Sequence, residues 1–144
     1  MLQQIDTKST DSISNLGIEI KGLNLNSKLP KEVIQKIRSA WLENGVAVFP
    51  NQDLTHDQFQ DFSLEFGKFG DDPFLGGLKD KPNIVEVKRL ASETASPFGG
   101  GWHSDWSFQS NPPAATFLLS KIIPPVGGDT VFANTQKAYD DLDE

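Results

Sequence analysis

Cysteine is absent from the sequence, histidine and arginine occur only twice each, and no long apolar run is present. The lack of cysteine excludes a disulfide framework, a cysteine-based zinc site, an iron–sulfur cluster and a thiol nucleophile. Basic residues are also few: 13 against 20 acidic residues give a net charge of −7, which disfavours nucleic acid as the main partner. No apolar run approaches the roughly 20 residues that cross a bilayer, and residues 1–6 lack the basic and apolar regions of a signal peptide. The sequence therefore predicts a cytoplasmic protein with no nucleic-acid and no membrane partner.

The sequence does contain enough apolar and aromatic material for a folded core. Of its 144 residues 37% are hydrophobic, including 10 Phe and 3 Trp, which is too apolar for a disordered chain. This length fits one globular domain. Residues 1–15 are polar and rich in Ser and Thr, so we expect a mobile N-terminal arm there. Residues 16–144 show neither a repeat nor an interdomain linker and are expected to belong to a single domain.

The first half of the chain predicts a strand, a helix and a second strand. Residues 17–22 alternate apolar and polar side chains between two glycines, which is typical of a half-buried strand. A helix is predicted to begin at Pro30, which suits the first helical position, and to end at Gly45, which suits a left-handed C′ residue. Residues 46–49 are apolar and are followed by Pro50, which predicts a buried strand. The helix has one apolar face, formed by Val33, Ile34, Ile37, Trp41 and Leu42.

A second helix is predicted by its own start signals. Thr55 and Gln58 form a capping box, and Leu54 and Phe59 can close a hydrophobic staple over the same turn. Gly67 is expected to end this helix. Its apolar stripe at i, i+3 and i+7 consists of Phe59, Phe62 and Phe66.

The second half is rich in Gly and Pro and predicts strands separated by loops. Residues 67–82 are expected to form a loop. Strands are predicted at residues 84–87, 115–119 and 130–133, and a helix is predicted to begin near Asn134. Two helices followed by strands with long loops favour an α+β fold with a β-rich core.

One pair of side chains has the spacing of a metal site. His103 and Asp105 lie two residues apart, so both side chains point to the same face if the chain is extended there. An imidazole and a carboxylate are two of the three ligands of the 2-His-1-carboxylate triad, which binds Fe(II) in non-heme oxygenases. The spacing alone leaves open a hydrogen-bonded pair that only orders a loop. The other histidine, His56, lies on the polar face of the second helix and is interpreted as a surface residue.

The surroundings of this pair favour a functional site. Three glycines at residues 99–101 let the backbone approach another group closely. Thr130 follows a Gly-Gly-Asp turn and opens a predicted strand, where its hydroxyl could bind a carboxylate. Three aromatic residues beside the pair could form a partly desolvated pocket wall or be ordinary core residues: Trp102, Trp106 and Phe108.

Several ordered blocks of the sequence resemble the TauD/TfdA dioxygenases, which depend on Fe(II) and 2-oxoglutarate. In chain order these blocks are Gly101–Phe108 (GWHSDWSF), Pro112–Ala114, Pro125–Asn134 (PVGGDTVFAN) and Ala138–Tyr139. The GVAVFP segment at residues 45–50 and the helix that ends in Phe66-Gly67 are similar to the same family. The resemblance implies a double-stranded β-helix (jelly-roll, cupin-like) core with N-terminal helices, incomplete in this chain.

The resemblance also implies the chemistry and the roles of single residues. His103 and Asp105 become the first two iron ligands, and Thr130 becomes a partner of a 2-oxoglutarate carboxylate. Trp106 and Phe108 fall where the family lines its substrate pocket. The expected reaction uses O₂ to hydroxylate a small organic substrate, expected to be anionic, and converts 2-oxoglutarate into succinate and CO₂.

The sequence departs from the family pattern in two respects. The taurine-specific enzymes have a His and a Tyr where this chain has Asp72 and Leu75, and an Asn where it has Gly99, so taurine is not supported as the substrate. The family also needs a second His ligand and an Arg that binds 2-oxoglutarate, but no His follows His103 and both arginines precede it. We therefore expect residues 16–144 to be the N-terminal part of a dioxygenase domain and to be inactive alone.

Two functions stay open at this point. The first is the dioxygenase, and the alternative is a non-catalytic jelly-roll binding module in which His103 and Asp105 only order a loop. The carboxylate of Asp105 argues against a halogenase, in which a small residue replaces that ligand. The aromatic helix faces are compatible both with core packing and with a homo-oligomer interface. The sequence decides neither this question nor the identity of the substrate.

Overall fold

The computed structural model describes most of the chain as two compact units. The described residues are 6–9, 16–70, 74–96 and 98–143. The first unit comprises residues 1–55 and 120–144, and the second comprises residues 56–119. The elements are β1 (Asp6–Ser9), β2 (Ile18–Lys21), α1 (Lys31–Asn44), β3 (Ala47–Val48), α2 (His56–Leu64) and α3 (Thr135–Asp140). Among the elements of the described ranges, α2 belongs to the second unit and the other five belong to the first.

The first unit contains a three-stranded sheet in the order β1-β2-β3. β1 is antiparallel to β2, with Asp6 opposite Lys21 and Ser9 opposite Ile18. β2 is parallel to β3, with Ile18 opposite Ala47. Parallel neighbours need a crossover connection, and α1 provides it. The strand predicted at residues 17–22 is therefore confirmed as β2.

Within the arm predicted over residues 1–15, Asp6–Ser9 form β1, and the mobility of the arm stays a prediction. β3 pairs with one edge of β2, and the other edge offers backbone N–H and C=O groups that need partners. A polar segment can pair there because ladder hydrogen bonds come from the backbone. Residues 1–5 and 10–15 lie outside the described residues.

α1 begins and ends at residues with special backbone properties. Pro30 lies immediately before the first helical residue, not at it as predicted, and its carbonyl accepts hydrogen bonds from the N–H groups of Val33 and Ile34 at 2.9 and 3.1 Å. Gly45 adopts a φ of 73° and donates its N–H to the Trp41 carbonyl at 2.7 Å. The helix therefore ends where the sequence predicts.

The core of the first unit forms where α1 packs on β2 and β3. Val33, Ile34 and Ile37 are buried as predicted, but Trp41 is only half-buried and Leu42 is 63% exposed. The buried face of α1 is therefore shorter than the apolar pattern indicates. The other buried apolar residues of this unit are Ile20, Leu23, Leu25, Leu29 and Leu54.

Gln52 holds together the loops that flank the sheet. Its side-chain amide donates to the carbonyls of Leu23 and Pro50, both at 3.0 Å. Its side-chain oxygen accepts from the N–H of Leu25, also at 3.0 Å. One polar side chain thus satisfies backbone groups of two loops, which an apolar side chain could not do.

The second unit contains α2 and a cluster of phenylalanine rings. α2 ends at Leu64, and a turn at residues 65–66 leads to Gly67, close to the predicted end. Phe62 is buried, and its ring centroid lies 5.2 Å from that of Phe66 and 6.1 Å from that of Phe117. The helix is confirmed, while the capping box and the staple at its start stay predictions.

Three predicted strands are wrong for this structure, because residues 84–87, 115–119 and 130–133 form no ladder within the described ranges. A strand exists only with a partner, and the apolar pattern cannot show whether one is present. Residues 114–120 still alternate between exposed and half-buried side chains, the period of an extended chain with one covered face. β3 is also less buried than predicted, since Val48 is 43% exposed.

The helix predicted near Asn134 is confirmed as α3. The Asn134 side chain caps it by accepting from the N–H of Lys137 at 2.9 Å. Helices and strands together agree with an α+β fold, whereas the double-stranded β-helix core stays a prediction. In the part of the chain that the structure describes, no helix combines the length and the apolar character that crossing a membrane requires.

Candidate metal centre

The glycine-rich segment before His103 supplies the backbone freedom that the site needs. Gly99 has a φ of 68°, a left-handed conformation that side chains with a Cβ rarely adopt. His103 Cε1 lies 3.5 Å from the position that a Cβ of Gly99 would occupy. The chain therefore bends back over the imidazole at a residue without a side chain.

The structure brings His103 and Asp105 together. The Nε2 atom of His103 lies 2.9 Å from Oδ1 of Asp105, and the two side chains are 53% and 44% exposed. Their spacing of two residues thus places both on one side of the chain, as the sequence predicts.

The polar atoms on the far sides of the pair, Nδ1 of His103 and Oδ2 of Asp105, are its outer atoms. Each of them has a hydrogen-bond partner of its own. The carbonyl oxygen of Gly101 lies 2.8 Å from Nδ1 of His103. Because a carbonyl can only accept, Nδ1 carries a proton and donates it. On the other side, the hydroxyl of Thr116 donates to Oδ2 of Asp105 at 2.7 Å. These contacts fix the imidazole and the carboxylate from outside and leave Nε2 and Oδ1 facing each other.

These contacts raise the pKa of His103 above its ordinary value of 6.5. The hydrogen bond to the Gly101 carbonyl is the largest cause, and the negative charge of Asp105 and its hydrogen bond act in the same direction. Desolvation opposes them by disfavouring the charged imidazole. A ring nitrogen and a carboxylate oxygen 2.9 Å apart are at hydrogen-bond distance, so this contact favours a proton on Nε2.

The same arrangement fits a metal ion in place of that proton. An imidazole nitrogen and a carboxylate oxygen are donors that suit Fe(II), so these two side chains would be able to hold such an ion. Metal-binding histidines usually make an outer hydrogen bond of the kind that His103 makes with Gly101, and this contact would leave Nε2 as the ligand atom. Within the described ranges, however, no group of three His, Asp or Glu side chains comes together. His56 is exposed at the first residue of α2, as expected of a surface residue.

The aromatic residues after Asp105 form a cluster with a partner that the sequence did not indicate. Trp106 has a φ of 51°, unusual for a residue with a large side chain. Its ring stacks on that of Phe74 with an interplanar angle of 3° and lies 5.6 Å from the ring of Phe108. Phe74 and Phe108 lie 5.8 Å apart. In contrast, Trp102 is 75% exposed.

Thr130 belongs to the first unit and is exposed. It follows Gly127 and Gly128, which both adopt left-handed conformations, and the turn predicted there stays a prediction. Its role toward 2-oxoglutarate stays a prediction.

Neither arginine belongs to the pair. Arg38 lies 5.9 Å above the ring of Trp41 on α1, a cation–π contact. Arg89 donates to the carbonyl of Ala95 at 3.1 Å within a loop. Both arginines therefore make local contacts away from the pair.

Thr116 and Phe74 are the residues that the sequence did not single out. Thr116 is separated from Asp105 by 11 positions in the sequence. It is a lone hydroxyl within an apolar run, and this was the signal that could have indicated a special role. Phe74 is an isolated aromatic residue in a loop rich in Gly and Pro, which is a weaker indication of a role than the hydroxyl of Thr116.

A histidine nitrogen and a carboxylate oxygen are two of the three ligands of the 2-His-1-carboxylate triad found in non-heme iron oxygenases. The chain belongs to the taurine catabolism dioxygenase TauD, TfdA family, whose sequence profile matches residues 7–144. The resemblance identified from the sequence is thereby confirmed.

Individual relatives support the same assignment. An alkylsulfatase of Acinetobacter baylyi is 35% identical over 130 residues, covering 90% of this chain and 40% of its own length. An alpha-ketoglutarate-dependent sulfonate dioxygenase of Saccharomyces cerevisiae is 33% identical over 140 residues, covering 88% of this chain and 33% of its own length. A solved structure assigned as an alpha-ketoglutarate-dependent taurine dioxygenase of Burkholderia xenovorans has 34% identity and a TM-score of 0.50 over 55% of this chain and 28% of its own. The chain thus spans well under half the length of these relatives.

Proposed function

We propose that the whole protein is an Fe(II)- and 2-oxoglutarate-dependent dioxygenase that hydroxylates a small anionic organic substrate, with release of succinate and CO₂. One observation carries this proposal: Nε2 of His103 and Oδ1 of Asp105 converge at 2.9 Å while their outer atoms are held by Gly101 and Thr116. Family membership adds independent support. The third ligand and the arginine for 2-oxoglutarate would be contributed by the rest of the whole protein.

Each residue of the site has a distinct task in this proposal. His103 and Asp105 hold the iron, which when bound coordinates 2-oxoglutarate and activates O₂. The hydroxyl of Thr130 would hydrogen-bond to a carboxylate of 2-oxoglutarate. Trp106 and Phe108 would line the substrate pocket and exclude water from it, together with Phe74, which stacks on Trp106.

The relatives favour an anionic substrate. Their names specify sulfonates, sulfate esters and phenoxypropionate, all of which carry an acidic group on an organic skeleton. Taurine is disfavoured because Leu75 and Gly99 stand where the taurine-specific enzymes have polar side chains. The third such position, Asp72, lies outside the described residues.

The alternative is a non-catalytic binding module. It is favoured by one observation, the 2.9 Å contact through which His103 and Asp105 pair with each other. The two functions differ in whether iron makes the protein consume 2-oxoglutarate.

Turnover by the purified full-length protein distinguishes them. Succinate is measured with Fe(II), 2-oxoglutarate and O₂, in the presence of a panel of small sulfonates, sulfate esters and aryloxyalkanoates. We expect at least one of these classes to raise Fe(II)-dependent succinate formation above the substrate-free rate, and taurine not to do so. Binding of a panel compound without any iron-dependent succinate would instead support the binding module.

A further inference from the structure

We propose that Thr116 is a positioning residue, which holds Asp105 so that a single carboxylate oxygen is presented to the iron. This inference rests on the proposed function, since it concerns how Asp105 acts as a ligand. Thr116 is not part of the pair suggested by the sequence, and its side chain reaches the ligand through Oδ2 alone.

The contacts around the pair form a linear series. Gly101 holds Nδ1 of His103 at 2.8 Å, Nε2 faces Oδ1 of Asp105 at 2.9 Å, and Oδ2 accepts from Thr116 at 2.7 Å. Both ligands are therefore held at the atom that points away from the proposed metal. The peptide carbonyl does this for the imidazole, and the threonine hydroxyl does it for the carboxylate.

The carboxylate needs such a partner more than the imidazole does. An imidazole can present only one nitrogen to a given metal, whereas a carboxylate can bind through one oxygen or through both. A hydroxyl donated to Oδ2 competes with metal binding at that oxygen and opposes rotation of the group. Ligation through Oδ1 alone leaves one more coordination position for 2-oxoglutarate or O₂.

The position of Thr116 is itself fixed by packing. The neighbouring Phe117 is half-buried, and its ring lies 5.5 Å from Phe66 and 6.1 Å from Phe62 on α2. Because side chains alternate along this extended segment, burying Phe117 turns Thr116 to the opposite face. The contacts of Phe117 with Phe62 and Phe66 thus set the side of the chain on which the hydroxyl lies.

The test compares Thr116→Val, which removes the hydroxyl and keeps the shape, with Thr116→Ser, which keeps the hydroxyl. Both variants are made in the full-length protein. The control is Thr94→Val, which makes the same Thr-to-Val exchange at an exposed loop residue. Anaerobic titration gives the Fe(II) dissociation constant and the visible charge-transfer band of the Fe(II)–2-oxoglutarate complex. Circular dichroism checks the fold, and Thr116→Ala replaces the valine variant if that variant unfolds.

We expect Thr116→Val to weaken Fe(II) binding by about tenfold and to shift the band, since outer partners of metal ligands are worth about 10–100-fold in affinity. Thr116→Ser and Thr94→Val should match the wild type within about twofold. Wild-type affinity and an unshifted band in Thr116→Val would overturn the role of Thr116 and leave the proposed function intact. Absence of a band in the wild type would overturn the proposed function, and this inference with it.

Discussion

His103 has partners at both ring nitrogens, and both contacts favour its protonated form in the absence of a metal. Nδ1 donates to the Gly101 carbonyl at 2.8 Å, and Nε2 faces the Asp105 carboxylate at 2.9 Å. A metal ion must therefore displace a proton from Nε2 before it can bind. The charge state of this one side chain links metal binding to pH.

The pKa of His103 in the metal-free full-length protein should lie above 6.5. Asp105→Asn should lower it only in part, because the hydrogen bond to Gly101 is the larger cause. Since the proton competes with the metal, the apparent Fe(II) affinity should fall as the pH drops through this pKa and level off above it. An NMR titration of the imidazole measures the pKa directly, with Asp61→Asn on the exposed face of α2 as the control. A value at or below 6.5 in the wild type would contradict the contacts described here.

Asp105→Ala removes one of the two proposed ligands. We expect Fe(II)-dependent succinate formation by the full-length protein to fall at least about 100-fold, since even the outer partners of metal ligands are worth about 10–100-fold. Asp61→Ala, at an exposed position of α2, should keep the wild-type rate. Comparable turnover in the two variants would remove Asp105 from the ligand set.

Local spacing predicts the pair but not its partners. His103 and Asp105 are two residues apart, so their convergence follows from an extended backbone. Thr116 reaches Asp105 across 11 positions, and its approach depends on how Phe117 packs in the second unit. Phe74 likewise meets Trp106 only through the fold of a loop. Contacts of this kind are set by tertiary packing, which spacing along the chain does not encode.

At the scale of elements, α1 contributes most to the core of the first unit. Its three buried residues pack against the sheet, and Ile37 is among the most completely buried side chains, at 2% exposure. The position and ends of this helix therefore govern the stability of the unit.

Ile37→Ala should lower the free energy of unfolding by about 2–5 kcal/mol, because it removes buried methyl groups and leaves a cavity. Lys36→Ala, on the exposed side of the same helix, should change it by less than about 0.5 kcal/mol. Urea denaturation of the full-length protein, followed by far-UV circular dichroism, provides both values. Equal stabilities of the two variants would show that α1 is not packed as described.

The helices could be predicted from the sequence, whereas most of the strands could not. α1 and α3 carry their start and end signals locally, in Pro30, Gly45 and Asn134. A strand depends on a partner that is distant in sequence. The apolar segment at residues 115–119 forms no ladder within the described ranges, while the polar segment Asp6–Ser9 pairs with β2.

At the scale of the whole molecule, the number of proposed ligands and the length of the chain both fall short of what a dioxygenase of this family has. The pair would supply one nitrogen and one oxygen ligand, whereas the facial triad needs a second histidine. The chain covers 33% to 42% of several curated relatives while matching the family profile over residues 7–144. The proposed activity is therefore a property of the whole protein, and we expect residues 1–144 alone to bind iron weakly.

The most direct test of the central claim is an anaerobic titration of the full-length protein with Fe(II) and 2-oxoglutarate. The wild type should develop the visible charge-transfer band of a 2-oxoglutarate complex of iron, and Asp105→Ala should not. The 144-residue chain alone should give at most a weak band. Absence of the band in the wild type, or an undiminished band in Asp105→Ala, would contradict the assignment of His103 and Asp105 as iron ligands.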